Sequence, residues 1–152
     1  TQPMGILSMT EKFLVAIDAS PGSERALKAA IAVAKSSGAT LVLVHIIEWS
    51  PFSFHTPEEL AERHKRREDE LDRAKEALLG PAEAAASAAG VSCESIIRHG
   101  HPAETLAEVA TETGAMQIFI GRKGRSKAGL LLFGSVASSL IQISAVPVTV
   151  VP

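Results

Sequence analysis

Five short apolar runs alternate with helix-like segments, and no hairpin signal joins any two of them. These are residues 13–18 (FLVAID), 40–47 (TLVLVHII), 91–98 (VSCESIIR), 116–120 (MQIFI) and Val148–Val151 (VTVV). Several are almost continuously apolar, as strands buried on both faces must be. Alternation of this kind predicts a mainly parallel sheet with helices on both sides. The expected fold class is therefore α/β, a single open five-stranded sheet of Rossmann-like type. Right-handed crossovers bring the loops that follow the strands to one edge. Ligands of such sheets bind at that edge, where the direction of winding reverses.

The helical segments carry their own punctuation. Ser20 is placed to cap a helix with Pro21 in its first turn, and Ala26, Leu27, Ala30, Ile31 and Ala34 share one face before Gly38 ends it. Thr56-Pro57-Glu58-Glu59 reads as a capping box. It opens a long charged helix through Leu60, His64, Leu71, Ala74 and Leu78, whose RHKRREDE stretch is a solvated face. Gly80-Pro81 is expected to kink or interrupt that helix before AEAAASAA resumes and Gly90 stops it. Gly100-His101-Pro102 turns into a helix presenting Leu106, Val109 and Ala110, with Gly114 at its end. The aperiodic stretch 48–56 holds Trp49, Phe52 and Phe54, read as a plug or lid or as a surface offered to a partner.

With 152 residues, one domain over 11–152 is expected, preceded by a flexible N-terminus over 1–10. The formal charge of −2 gives no bulk attraction to nucleic acid or anionic membranes. No apolar stretch approaches the about 18 residues that insertion in a bilayer needs. The opening TQPMGILSMTEK lacks the basic and apolar regions of a signal peptide, so the cytoplasm is the simplest address. Cys93 is the single cysteine and reads as a small core residue. His99 and His101 could meet at a strand end, but no metal-ligand spacing surrounds them and no metal site is expected.

Functional chemistry concentrates in residues 121–135, GRKGRSKAGLLLFGS, which follow the fourth apolar run and open the last helix. Gly121 and Gly124 lack a Cβ, so the backbone there can take positive φ and approach a ligand closely. Gly134 and Ser135 begin a helix whose first amides have no internal partner. Free N–H groups at the positive end of a helix dipole attract phosphate. Arg122, Lys123, Arg125 and Lys127 add positive charge. Neither a Walker A loop nor Gly-x-Gly-x-x-Gly is present.

The spacing Gly121-x2-Gly124-x9-Gly134-Ser135 resembles the nucleotide-binding signature of the universal stress protein family. FLVAIDASPGSERAL, LVLVHIIE, GHPAETLAEVA and IGRKGRSKAGLLLFGSVASSLIQISAVPVTVV occur in the order found in that family. The resemblance implies strand order 3-2-1-4-5, which would bring Asp18 and Gly121 together at the reversal point. It also implies roles. Asp18 would face the adenosine moiety, beside Ala16 and Ile17 at the strand end. Ile46 would pack on adenine, and Ile120 is the strand residue before the glycine loop. Gly121, Arg122, Gly124, Gly134, Ser135 and Val136 would hold phosphates, with Arg125 and Ser126 in the intervening loop. No catalytic residue is carried over. The Arg122-Lys123 pair departs from the histidine or small polar residue usual in the family; its charge would either favour a triphosphate or point outward to solvent.

The residues themselves make coherent chemistry: an apolar slot for a flat base, and a carboxylate for ribose hydroxyls or a base amine. The resulting expectation is an ATP-binding stress-response regulator, with or without magnesium, in which nucleotide tunes conformation or assembly. By analogy it is a homodimer paired through Val148–Val151, with an unidentified protein partner a further expectation. A slow ATP hydrolase and a dimeric binding module without nucleotide are the alternatives. For the hydrolase no dedicated base or metal carboxylate is evident beyond Asp18.

Overall fold

The computed structural model describes residues 10–48, 56–123 and 133–152. The Trp49, Phe52 and Phe54 stretch and almost all of the N-terminal segment lie outside them. The strands are β1 (Lys12–Ala16), β2 (Thr40–Glu48), β3 (Cys93–Gly100), β4 (Gln117–Gly121) and β5 (Val148–Val151). The α-helices are α1 (Pro21–Ser37), α2 (Pro57–Ala74), α3 (Gly80–Ala88), α4 (Pro102–Thr113) and α5 (Ser135–Ile143). The sheet order is β3-β2-β1-β4-β5, every pairing parallel. The carboxyl ends of the strands therefore share one edge, and the winding reverses between β1 and β4.

Strand alternation divides the core into two layers. Phe13, Val15, Leu41, Leu43 and Phe119 face Leu27, Ala30 and Ala34 of α1 and Ala82 and Ala86 of α3. Leu14, Val42, Val44, Ile118 and Ile120 face Leu106, Val109 and Ala110 of α4 and Ala137 and Leu140 of α5. The helix signals operate as the residue types dictate. The Ser20 side chain accepts from the Ser23 amide, and Gly38 closes α1 in the left-handed region at φ 76°. Thr56 and Glu59 form the reciprocal box at the start of α2. The charged face of α2 is solvated, and Leu60 is 52% exposed.

Three boundaries differ from expectation. The first strand stops at Ala16 rather than Asp18: the Ile17 amide still donates to the Val44 carbonyl, but the Ile17 carbonyl meets His45 Nδ1 at 2.7 Å. The third strand starts two residues late, because the Val91 amide donates to Ala86 in the closure of α3, with Gly90 at φ 75°. Gly80-Pro81 does not interrupt its helix. A π-helical turn over Lys75–Leu79 precedes it, and the Gly80 amide donates to the Lys75 carbonyl. Proline has no N–H to offer and its ring crowds the preceding turn. The wider turn accommodates both problems without a break.

Candidate functional site at the sheet reversal

Asp18 sits just past β1 in a turn built from serines. The Ser20 amide donates to Asp18 Oδ1 at 2.7 Å, and the Ser20 hydroxyl donates to the same oxygen at 2.5 Å. The Ser20 oxygen in turn accepts from the Ser23 amide at 3.1 Å as the α1 cap. The Asp18 amide donates to Ser23 Oγ at 2.9 Å, and Ser23 Oγ donates to the Ala16 carbonyl at 3.4 Å. Ser20 and Ser23 are buried, whereas Asp18 remains half-buried. The Asp-x-Ser-x-x-Ser spacing was the available signal for this network.

Gly121 stands opposite the same turn. Positive φ occurs at Gly38, Gly90, Gly100 and Gly114 among the described glycines, not at Gly121. Its lack of a side chain serves close packing instead. A Cβ on Gly121 would lie 2.6 Å from the Gly22 carbonyl carbon, and one on Gly22 would lie 2.5 Å from the Lys123 carbonyl oxygen. The first turn of α1 and the segment leaving β4 thus meet backbone to backbone. The sheet ladder continues through this point, since the Arg122 amide donates to Val151 at 2.8 Å. The Gly134 amide donates to the Arg122 carbonyl at 2.7 Å, closing the base of the loop. Those two amides are therefore occupied. Arg122 and Lys123 are exposed.

Beyond Gly134 the arrangement is open to an anion. Gly134 is the N-cap of α5 and provides no side-chain cap. The Ser138 amide is the first to bond back, to Gly134. The amides of Ser135, Val136 and Ala137 precede it and have no intrahelical acceptor. Ser135 and Val136 line an open cleft of about 490 Å³ with Glu48, His101, Glu104 and Ser139. The α4 N-terminus, at His101 and Pro102, borders the same cleft. Ala16, Ile46 and Val136 pack around the apolar cluster that contains Ile120, so the four share one face of the sheet. Asp18, Ile46 and Ile120 do not themselves line the cleft. Gly124, Arg125, Ser126 and Lys127 lie outside the described residues.

The cleft residues Glu48, His101 and Glu104 were not singled out as binding groups from sequence. His99 and His101 line different pockets: β3 ends at Gly100, His101 becomes the cap of α4 and borders the cleft, and His99 lines a pocket with Ile47 and Arg67. Among the described residues no three of His, Cys, Asp or Glu are grouped to hold a metal. Cys93 is half-buried at the start of β3, and burial, then the Glu83 charge, push its thiol above the usual range.

The family model described as "Universal stress protein family" matches residues 9–152. This chain belongs to the universal stress protein family. Universal stress protein YxiE of Bacillus subtilis is 31% identical over 150 residues, covering 94% of this chain and 99% of that one. Universal stress protein UspA from Lactobacillus plantarum superposes with a TM-score of 0.82 at 20% identity, over 95% of this chain and 99% of that one. That likeness concerns the fold. A universal stress protein solved in complex with cAMP has a TM-score of 0.61 at 27% identity, covering 95% of this chain and 98% of that one. No described helix of this universal stress protein is long and apolar enough to cross a membrane.

Proposed function

We propose that this universal stress protein belongs to the nucleotide-binding subclass and is an ATP-binding regulator whose nucleotide tunes conformation or assembly. The observation that carries the reading is the α5 N-terminus. Among the described residues its first amides lack acceptors and no side chain caps it, and Ser135 and Val136 open on the cleft. Phosphate complements such a terminus in both hydrogen bonding and charge. The neighbour solved with cAMP supports an adenine nucleotide as the ligand class. Ile46 and Ile120 provide the apolar side for the base, and Asp18 the acceptor for the adenosine moiety. Backbone amides and the Ser135 hydroxyl take the phosphates, with Arg122 and Lys123 supplying surrounding charge.

Regulation would run through β5. Its ladder includes the Arg122 amide at the root of the glycine loop, so a ligand bound beside that root also biases the sheet edge. A ligand shifts an equilibrium by its differential affinity for the two states. Val148–Val151 is an edge strand with half-buried apolar residues, suited to pairing with a second copy.

Titration calorimetry tests the binding reading. Wild-type protein is expected to bind ATP with micromolar affinity, about −8 kcal/mol. Gly124→Val is expected to abolish binding while leaving the urea unfolding midpoint unchanged. Unchanged ATP affinity in that variant overturns the assignment of the glycine signature.

A further inference from the structure

We infer that Ser20 is a positioning residue that aims Asp18 at the adenosine moiety, an inference that rests on the nucleotide-binding reading above. Ser20 is only 4% exposed, so its hydroxyl acts within the turn rather than on a ligand. One hydroxyl proton goes to Asp18 Oδ1, and one lone pair receives the Ser23 amide. The Ser20 amide adds a second donor to the same carboxylate oxygen. Among the described residues both donors to the Asp18 carboxylate, one hydroxyl and one backbone amide, therefore converge on Oδ1. Among the described residues Oδ2 accepts no hydrogen bond, and the side chain is half-buried at the reversal edge.

Two donors on one oxygen fix both the rotation and the tilt of a carboxylate. The remaining oxygen is then an oriented acceptor, suited to a ligand hydroxyl or amine. An acceptor that must be ordered only on binding loses affinity to that ordering. Ser20 also joins this acceptor to the helix that abuts the glycine loop. Its hydroxyl caps α1, and Gly22 in the first turn of α1 meets Gly121 and Lys123. The adenosine side and the phosphate side of the site are thus set from one helix start.

Glycine and alanine at position 20 separate positioning from helix stability. Both remove the hydroxyl, but glycine is a tolerated N-cap and alanine is not. Ser20→Gly and Ser20→Ala are expected to weaken ATP binding equally, by up to about tenfold, the cost of ordering one side chain on binding. Only Ser20→Ala should lower the urea midpoint appreciably. In an Asp18→Ala background, Ser20→Gly should cause no further loss of ATP affinity. A crystal structure of unliganded Ser20→Gly should show the Asp18 carboxylate rotated from its wild-type setting. Affinity losses that follow the stability ranking, or an equal loss in the Asp18→Ala background, would overturn the inference. If wild-type protein binds no ATP, the nucleotide-binding reading fails. The Asp18 rotamer in the Ser20→Gly crystal then decides the positioning role alone, and an unmoved carboxylate contradicts it.

Discussion

Gly121→Ala is expected to lose about 3 kcal/mol of stability, the upper part of the range for overpacking a close contact. For a domain of this size that is a fall of roughly 6–12 °C in Tm. The added Cβ would sit 2.6 Å from the Gly22 carbonyl carbon and 2.7 Å from its oxygen. Neither is the end of a flexible side chain; both belong to the first turn of a helix packed on the sheet. Relief requires α1 to move away from β4. Gly38→Ala is the control, because nothing lies within 4 Å of its added Cβ. That variant meets only the left-handed backbone penalty of about 1–2 kcal/mol. Urea denaturation of the two variants checks the ranking, and equal or smaller losses at Gly121 would contradict the close approach. A loss of nucleotide binding in Gly121→Ala would therefore not isolate a ligand contact, whereas Gly124→Val is expected to report on binding alone.

Phe119→Ala is expected to cost about 3–5 kcal/mol, the range for deleting a buried aromatic ring. Phe119 is 2% exposed and packs its ring 5.7 Å from that of Phe13 at a tilt of 58°. It pairs in register with both Val15 of β1 and Thr149 of β5. The cavity would open between the strands that set the reversal and the helix layer of α1. The adjoining residues Ile120 and Gly121 belong to the candidate site, so local loosening there should accompany the global loss. Hydrogen exchange of the β4 amides, read with the unfolding midpoint, measures both. A stability loss under about 1 kcal/mol would show that the surrounding core collapses onto the vacancy.

Much of this architecture could be read in the chain because local signals agree with the global fold. Pro21 after Ser20, the Thr56 box and the glycines at 38, 90 and 114 each occupy the helix boundary their chemistry favours. The five apolar runs correspond to the five strands, and the order implied by the resemblance is the observed one. Tertiary interactions account for what could not be read. Asp18 left its strand because serines two and five residues ahead take its carboxylate and amide. A sequence period cannot show that a helix will absorb Gly80-Pro81 by widening one turn. Nor can it show that Gly121 lies against Gly22, ninety-nine positions earlier in the chain. The cleft combines residues from β2, α4 and α5, none of which is near the others in sequence. Only the glycine signature marked its location in advance, through Ser135 and Val136.

The most direct measurement of the central claim is the backbone amide spectrum of isotopically labelled protein during ATP titration. Saturating shifts at Ser135, Val136 and Ala137, accompanied by shifts at Asp18 and Ile46, are the predicted result. Saturation of ATP binding with those amides unmoved, or no binding at all, would contradict a phosphate seat at the start of α5.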